Sequence, residues 1–137
     1  QRFPGSFGSS YLYFVVPRVI LFREEHTPRT LVEKVDFISA PGTSPNGVYR
    51  PGGPHALVTS LCVFNFDKTR ARFALKSTHP GVSTADVRAA TGFDYDEPAQ
   101  VPVTTLFDAS ELKALRTDIA GQVAETYPGF ASRLWSI

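Results

Sequence analysis

The sequence has no methionine and one cysteine, Cys62. A lone cysteine excludes an internal disulfide and a zinc site built from cysteines. Long hydrophobic runs are missing too: the longest, Tyr11–Val16 and Val19–Phe22, are separated by Pro17 and Arg18. Both fall far short of the ~20 residues that a membrane-spanning helix requires. Neither sign of charge is in excess, with 14 Lys and Arg against 13 Asp and Glu. That balance excludes a strongly electrostatic nucleic-acid binder. No G-x-S-x-G elbow, P-loop or G-x-G-x-x-G fingerprint occurs. His26, His55 and His79 lie far apart, without metal-ligand spacing. The chain is therefore expected to be a soluble, cytoplasmic protein without metal, nucleic-acid or membrane partners. It starts Gln1-Arg2-Phe3-Pro4-Gly5, without methionine, and is expected to be a piece of a longer gene product.

What is present suits one α/β domain of 137 residues, with 42% hydrophobic content to build a core. Gly5 to Ser10 reads as a small-residue loop. Tyr11–Val16 is open between strand and helix. Arg18–Arg23 reads as a strand buried on both faces, and Leu31–Ser39 as a second strand. The Pro-, Gly- and Ser-rich text from Ala40 to Pro54 is a long loop of the kind that carries function or disorder. Ala56–Phe66 reads as one central strand, apolar on both faces. A turn at Asp67–Arg70 leads to a return strand, Ala71–Ser77. Ser83 with Asp86, and Asp108 with Glu111, are helix-start signals; Gly92 stops the first helix and Pro128-Gly129 the second.

Four local features are weighed for chemistry. Gly5-Ser6-Phe7-Gly8 is either a plain turn or a place where backbone N–H groups meet a ligand oxygen. Glu24-Glu25-His26 is either a solvated strand end or a carboxylate–imidazole pair at a ligand-collecting strand terminus. Cys62, in mid-strand among apolar residues, reads as a buried inert thiol. His79-Pro80-Gly81-Val82 reads as a rigid turn.

The order of these segments carries more than any one of them. Gly52–Asp67 (GGPHALVTSLCVFNFD) followed by His79–Phe93 (HPGVSTADVRAATGF) resembles the C-terminal half of class I CoA-transferase β subunits. It is similar in pattern to the glutaconate CoA-transferase type and to the actinobacterial subunits of steroid degradation. The resemblance runs from Gly5 to about Phe93 and covers the helix from Asp108 in type alone. It implies an open mixed sheet shared with sugar-phosphate isomerases, with a late antiparallel hairpin and a C-terminal helix. Residues 1–137 would then be the C-terminal part of one β-type domain, its N-terminal part missing.

The resemblance further implies an active site shared with an α-type subunit in a hetero-oligomer. There a glutamate attacks an acyl-CoA thioester and passes through a glutamyl-CoA intermediate. That glutamate would lie upstream or on the partner. Gly5, Ser6, Phe7 and Gly8 would form the substrate-side loop, although it departs from the doubled-glycine form of the oxoacid transferases. Glu25 and His26 would stand behind that site. Coenzyme A would enter as a thioester substrate, with no cofactor permanently bound. Two other roles fit the same pattern: a ring-opening acyl-CoA hydrolase with its glutamate on the partner, and a non-catalytic structural subunit.

Overall fold

The computed structural model describes residues 7–136. Two compact units divide the chain between Thr104 and Thr105.

In the first unit, helix α1 (Phe7–Val15) leads into strand β1 (Val19–Arg23). Pro17, which has no N–H and fixes its φ, separates the two. β2 (Pro54–Thr59), β3 (Cys62–Asp67) and β4 (Arg72–Thr78) complete a sheet of order β1-β2-β3-β4. β1 runs parallel to β2, and the other pairs are antiparallel. The mixed sheet and late hairpin are as expected. At the β3–β4 turn, Asp67 Oδ1 accepts from the N–H groups of Thr69 and Arg70 (2.8 and 3.1 Å), an Asx turn of the usual kind.

Several local expectations are corrected. Phe7 and Gly8 open α1 instead of continuing a loop. β1 is an edge strand among the described residues, with Ile20 and Phe22 about two-thirds exposed (63% and 65%), so it is not buried on both faces. Leu31–Ser39 forms no strand and makes only an isolated bridge, Val32 to Gly92. Ala56–Phe66 is two strands folded on each other through Ser60-Leu61, with Leu57 opposite Phe64 and Val58 opposite Val63. The turn uses neither glycine nor asparagine, and only the polar pair Thr59-Ser60 interrupts the apolar text of residues 56–64.

α2 (Thr84–Ala90) starts at the expected capping box, where Ser83 Oγ accepts from Asp86 N–H and Asp86 accepts from Ser83 N–H. It drives Val87 fully into the core. The core comprises Leu31, Leu57, Cys62, Phe64, Leu75, Val87 and Tyr95. Phe64 is its hub: its ring lies 4.9 Å from that of Tyr95 and 6.0 Å from that of Phe73. After α2 the chain runs along the free edge of β4, where Leu75 N–H donates to Asp96 O and Thr104 N–H to Thr78 O (2.8 and 2.7 Å). Arg72 binds Asp94 and Asp96, Arg70 binds Asp96, and Arg88 binds Asp94 and Glu97. This network fastens the segment to β4 and α2.

The second unit is helical. α3 (Ala109–Ala114) starts on Asp108, whose carboxylate accepts from Ser110 and Glu111 N–H. It continues through a π-helical turn (Leu115–Ile119) into α4 (Ala120–Thr126). Pro128 does not end the structure. It occupies the first turn of α5 (Pro128–Trp135), where its missing N–H costs nothing. α4 and α5 pack on each other, and Ala120 and Ala131 are fully buried.

Candidate functional site

Gly5 and Ser6 lie outside the described residues. Phe7 and Gly8 form the first turn of α1. A Cβ placed on Gly8 would meet nothing within 4 Å, so no contact among the described residues demands glycine there.

The body of α1 walls a cavity of about 590 Å³, lined by Ser10, Tyr11, Phe14, Val15, Tyr49, Arg50 and Pro51. Its far wall is the loop Ala40–Pro54, which is held against the helix by backbone contacts. Gly52 N–H donates to Phe14 O (2.7 Å) and Gly53 N–H to Val16 O (3.2 Å). The approach is so close that a Cβ on Gly52 would lie 2.4 Å from Val16 O and 2.5 Å from Phe14 O. From the β3–β4 turn, Lys68 Nζ donates to Pro51 O and Gly52 O (2.9 and 2.5 Å). The strap so fixed sets the Arg50 guanidinium over the Phe14 ring, 4.1 Å from its centroid. That spacing is a cation–π contact. Tyr11 and Tyr49 beside it are largely exposed, at 65% and 89%. By sequence the strap reads only as a loop, and nothing local marks Tyr11, Phe14, Tyr49 or Arg50 as a group. The available signal is that Val48, Tyr49 and Arg50 are the only large side chains in a Pro-, Gly- and Ser-rich tract.

Glu25 and His26, adjacent in sequence, take different partners. The Glu25 carboxylate accepts from Thr27 Oγ1 (3.0 Å) and pairs with Arg23 (3.2 Å) and Arg29 (3.6 Å) at the surface. His26 turns inward and is 6% exposed. Its Nδ1 lies 2.8 Å from Thr59 Oγ1, and its Nε2 lies 2.9 Å from Thr91 Oγ1.

The surrounding donors fix its tautomer. Thr91 gives its hydroxyl hydrogen to Val87 O (2.7 Å) and so accepts from His26 Nε2–H. Thr59 Oγ1 accepts from Leu61 and Cys62 N–H (3.2 and 3.1 Å); with the ring neutral it gives its hydrogen to Nδ1 (2.8 Å), and its other acceptor is Cys62 O (3.2 Å). His26 is thereby a fully bonded neutral ring that ties the end of β1 to the β2–β3 turn and the C-cap of α2. Burial lowers its pKa. The carboxylate–imidazole pairing suggested by adjacency does not form. His79 holds the same turn from the other side, with Nε2 donating to Thr59 O (2.9 Å) and its backbone N–H to Leu61 O (2.8 Å).

Cys62 Sγ is 3.9 Å from His26 Nδ1, but the pair is not a nucleophile and its base. The thiol is fully buried, and desolvation pushes its pKa up to about 11. Among the described residues no group of three or more His, Cys, Asp or Glu could hold a metal ion. No described helix is long and apolar enough to cross a membrane.

No protein-family profile matches the chain. It is 34% identical over 122 residues to the β subunit of the 3-oxoadipate CoA-transferase of Pseudomonas knackmussii, a match of 84% of this chain and 46% of that protein. It is 33% identical over 98 residues to the cholesterol ring-cleaving hydrolase IpdB subunit of Mycobacterium tuberculosis, covering 69% of this chain and 39% of that subunit. Among solved structures, the glutaconate coenzyme A-transferase of Acidaminococcus fermentans superposes with a TM-score of 0.71 at 30% identity, over 90% of this chain and 49% of the other. The decarboxylase AibA/AibB superposes with a TM-score of 0.67 at 28% identity, over 85% and 44%. The chain thus spans about half the length of the relatives it matches or less.

Proposed function

The chain is CoA-transferase β-subunit-like in sequence and in fold, and from that premise we propose that it is part of the β-type subunit of a heteromeric enzyme acting on an acyl-CoA thioester. The observation that carries this reading is the 30% identity maintained through a superposition over nine-tenths of the chain.

In the proposed reaction CoA passes between two carboxylic acids. A glutamate outside this chain attacks the thioester carbonyl and expels CoA thiolate, leaving an acyl-glutamyl anhydride. The thiolate then attacks the glutamyl carbonyl and releases the first acid, and the glutamyl-CoA so formed hands CoA to the second acid in the reverse sequence. Gly5, Ser6, Phe7 and Gly8 would face the thioester, with the cavity along α1 receiving what extends from it. An α-type subunit would supply the other wall, as for sites built at interfaces. CoA enters as substrate and no resident cofactor is required. A thioester substrate and a reduced lone cysteine suit the cytoplasm. Two of the relatives are named for dicarboxylic acids, 3-oxoadipate and glutaconate.

Hydrolysis is the second reading, because the IpdB relative is named as a ring-cleaving hydrolase. The full chain co-expressed with an α-type subunit separates the two. Transfer moves CoA to an added carboxylic acid, whereas ring-opening hydrolysis adds water across a ring bond of the acyl group, leaves the thioester intact and needs no acceptor acid. Acyl-CoA consumption by the α-type subunit alone, unchanged when this chain is added, would refute both and leave the chain a structural role.

A further inference from the structure

We propose that Arg50 is a carboxylate-binding subsite, which selects acyl groups or acceptor acids that carry a second carboxylate at the end remote from the thioester. This rests on the reading that an acyl-CoA thioester lies at Gly5–Gly8.

Three observations support it. First, Arg50 presents its guanidinium to a cavity, yet among the described residues no carboxylate pairs with it. Arg70, Arg72 and Arg88 are all tied to Asp94, Asp96 or Glu97.

Second, its position is built. Pro51 follows it, Gly52 and Gly53 are bonded to the end of α1, and Lys68 holds the carbonyls of Pro51 and Gly52. The guanidinium rests with its carbon 4.1 Å over the Phe14 ring. A guanidinium on an aromatic ring is weakly hydrated and keeps a fork of N–H donors at its edge. That fork matches the two oxygens of a carboxylate.

Third, the reach is suitable. Phe14 lies six positions after Gly8 in α1, about 9 Å along the axis at 1.5 Å per residue. A short dicarboxylic chain with its thioester at the start of α1 would bring its far end to Arg50. Ser10, Tyr11 and Tyr49 flank that path and offer hydroxyls and ring faces to the carbons between.

The test uses the full chain with its α-type subunit, acetate as the acceptor acid, and two probes of equal carbon count, glutaryl-CoA and valeryl-CoA. Arg50→Gln is expected to lower kcat/KM for glutaryl-CoA by about ten- to a hundred-fold, the range of one charge-assisted hydrogen-bonded pair. The loss should fall mainly on KM, with valeryl-CoA nearly unaffected. Arg50→Lys, which keeps the charge without the fork, should recover part of the loss. Equal losses for both thioesters would overturn the assignment. If those losses vanish with 3′-dephospho-CoA thioesters, Arg50 serves a phosphate of the carrier instead. Calorimetric binding of both thioesters to wild type and Arg50→Gln keeps this question apart from the activity. A complex that turns over neither thioester defeats the CoA-transfer reading for such acids, while the binding difference still decides Arg50, and its absence overturns the subsite.

Discussion

Acidification from pH 7.5 to 5 should destabilise the first unit through His26, and His26→Leu should remove that sensitivity. Neutral His26 has both ring nitrogens satisfied, by Thr59 and Thr91. A second ring proton would sit on Nδ1 and point at Thr59 Oγ1, which already accepts from Leu61 and Cys62 N–H. Charging the ring therefore crowds a third donor onto Thr59 Oγ1 and turns its hydrogen toward Cys62 O (3.2 Å), as well as burying a charge. Among the described residues, the groups that meet the ring within hydrogen-bonding or ring-contact distance include no carboxylate. They are Thr59 and Cys62 from the hairpin, Thr91 from the α2 C-cap, and the Phe64 ring at 6.2 Å. With its folded pKa below the ordinary 6.5, His26 contributes its full stability above pH 6.5. That contribution is lost as pH falls toward the folded value, because the unfolded chain then binds a proton that the folded one refuses. The slope for one such proton is at most about 1.4 kcal/mol per pH unit.

His26→Leu removes two hydrogen bonds, worth about 1–3 kcal/mol together. It leaves no hydroxyl stranded, since Thr59 can turn to Cys62 O (3.2 Å) and Thr91 still donates to Val87 O (2.7 Å). Urea unfolding followed by circular dichroism at half-unit pH steps measures both terms. Wild type should be the more stable at pH 8 by that margin, and the margin should shrink steadily below pH 6.5. Asp86, Asp94, Asp96, Glu97 and Asp108 all have lowered pKa values. Their contribution is present above the ordinary carboxylate range near pH 4 and lost beneath it, outside this window. A margin that stays constant from pH 8 to 5, or a ring that titrates with an ordinary midpoint by NMR, would refute the neutral-ring argument.

Gly52→Ala should destabilise by roughly 1–3 kcal/mol, the usual cost of overpacking, and should release the strap, seen as faster amide exchange at Gly52 and Gly53; unchanged exchange would mean the strap is not clamped to α1. Cys62 should resist alkylation at pH 8 in the folded chain and react fully in denaturant, because it is buried with its thiol pushed up to about 11; rapid native-state labelling would contradict its place in the core. Ser83→Ala should cost about 1 kcal/mol through loss of the α2 cap, measured by denaturant midpoint. Asp108→Ala should lower the helical signal of the second unit by a similar loss of capping, and an unchanged spectrum would show that the cap is dispensable.

The two helix starts were legible because their chemistry is local: Ser83 with Asp86, and Asp108 with Glu111, satisfy backbone groups three residues away. The β3–β4 turn was legible for the same reason, since Asp67 bonds its own neighbours. The order of the Gly52–Asp67 and His79–Phe93 segments likewise carried the family resemblance. Other features depend on partners distant in the chain. The turn at Ser60-Leu61 has no turn residues of its own and is closed by the Thr59 side chain, with His26 and His79 arriving from 33 and 20 residues away. The apolar text of β1 suggests a buried strand, but its exposure is decided by which neighbours the sheet supplies. The inward turn of His26 and the surface pairing of Glu25 are set by Thr91 and Arg29, groups that adjacency in sequence does not reveal. Arg50 reads as one more loop cation until Gly52 is seen to lie where a single Cβ would strike the end of α1. Local hydrogen bonding and apolar pattern are written in the sequence, whereas edges, close approaches and the partners of buried polar groups arise only when distant segments meet.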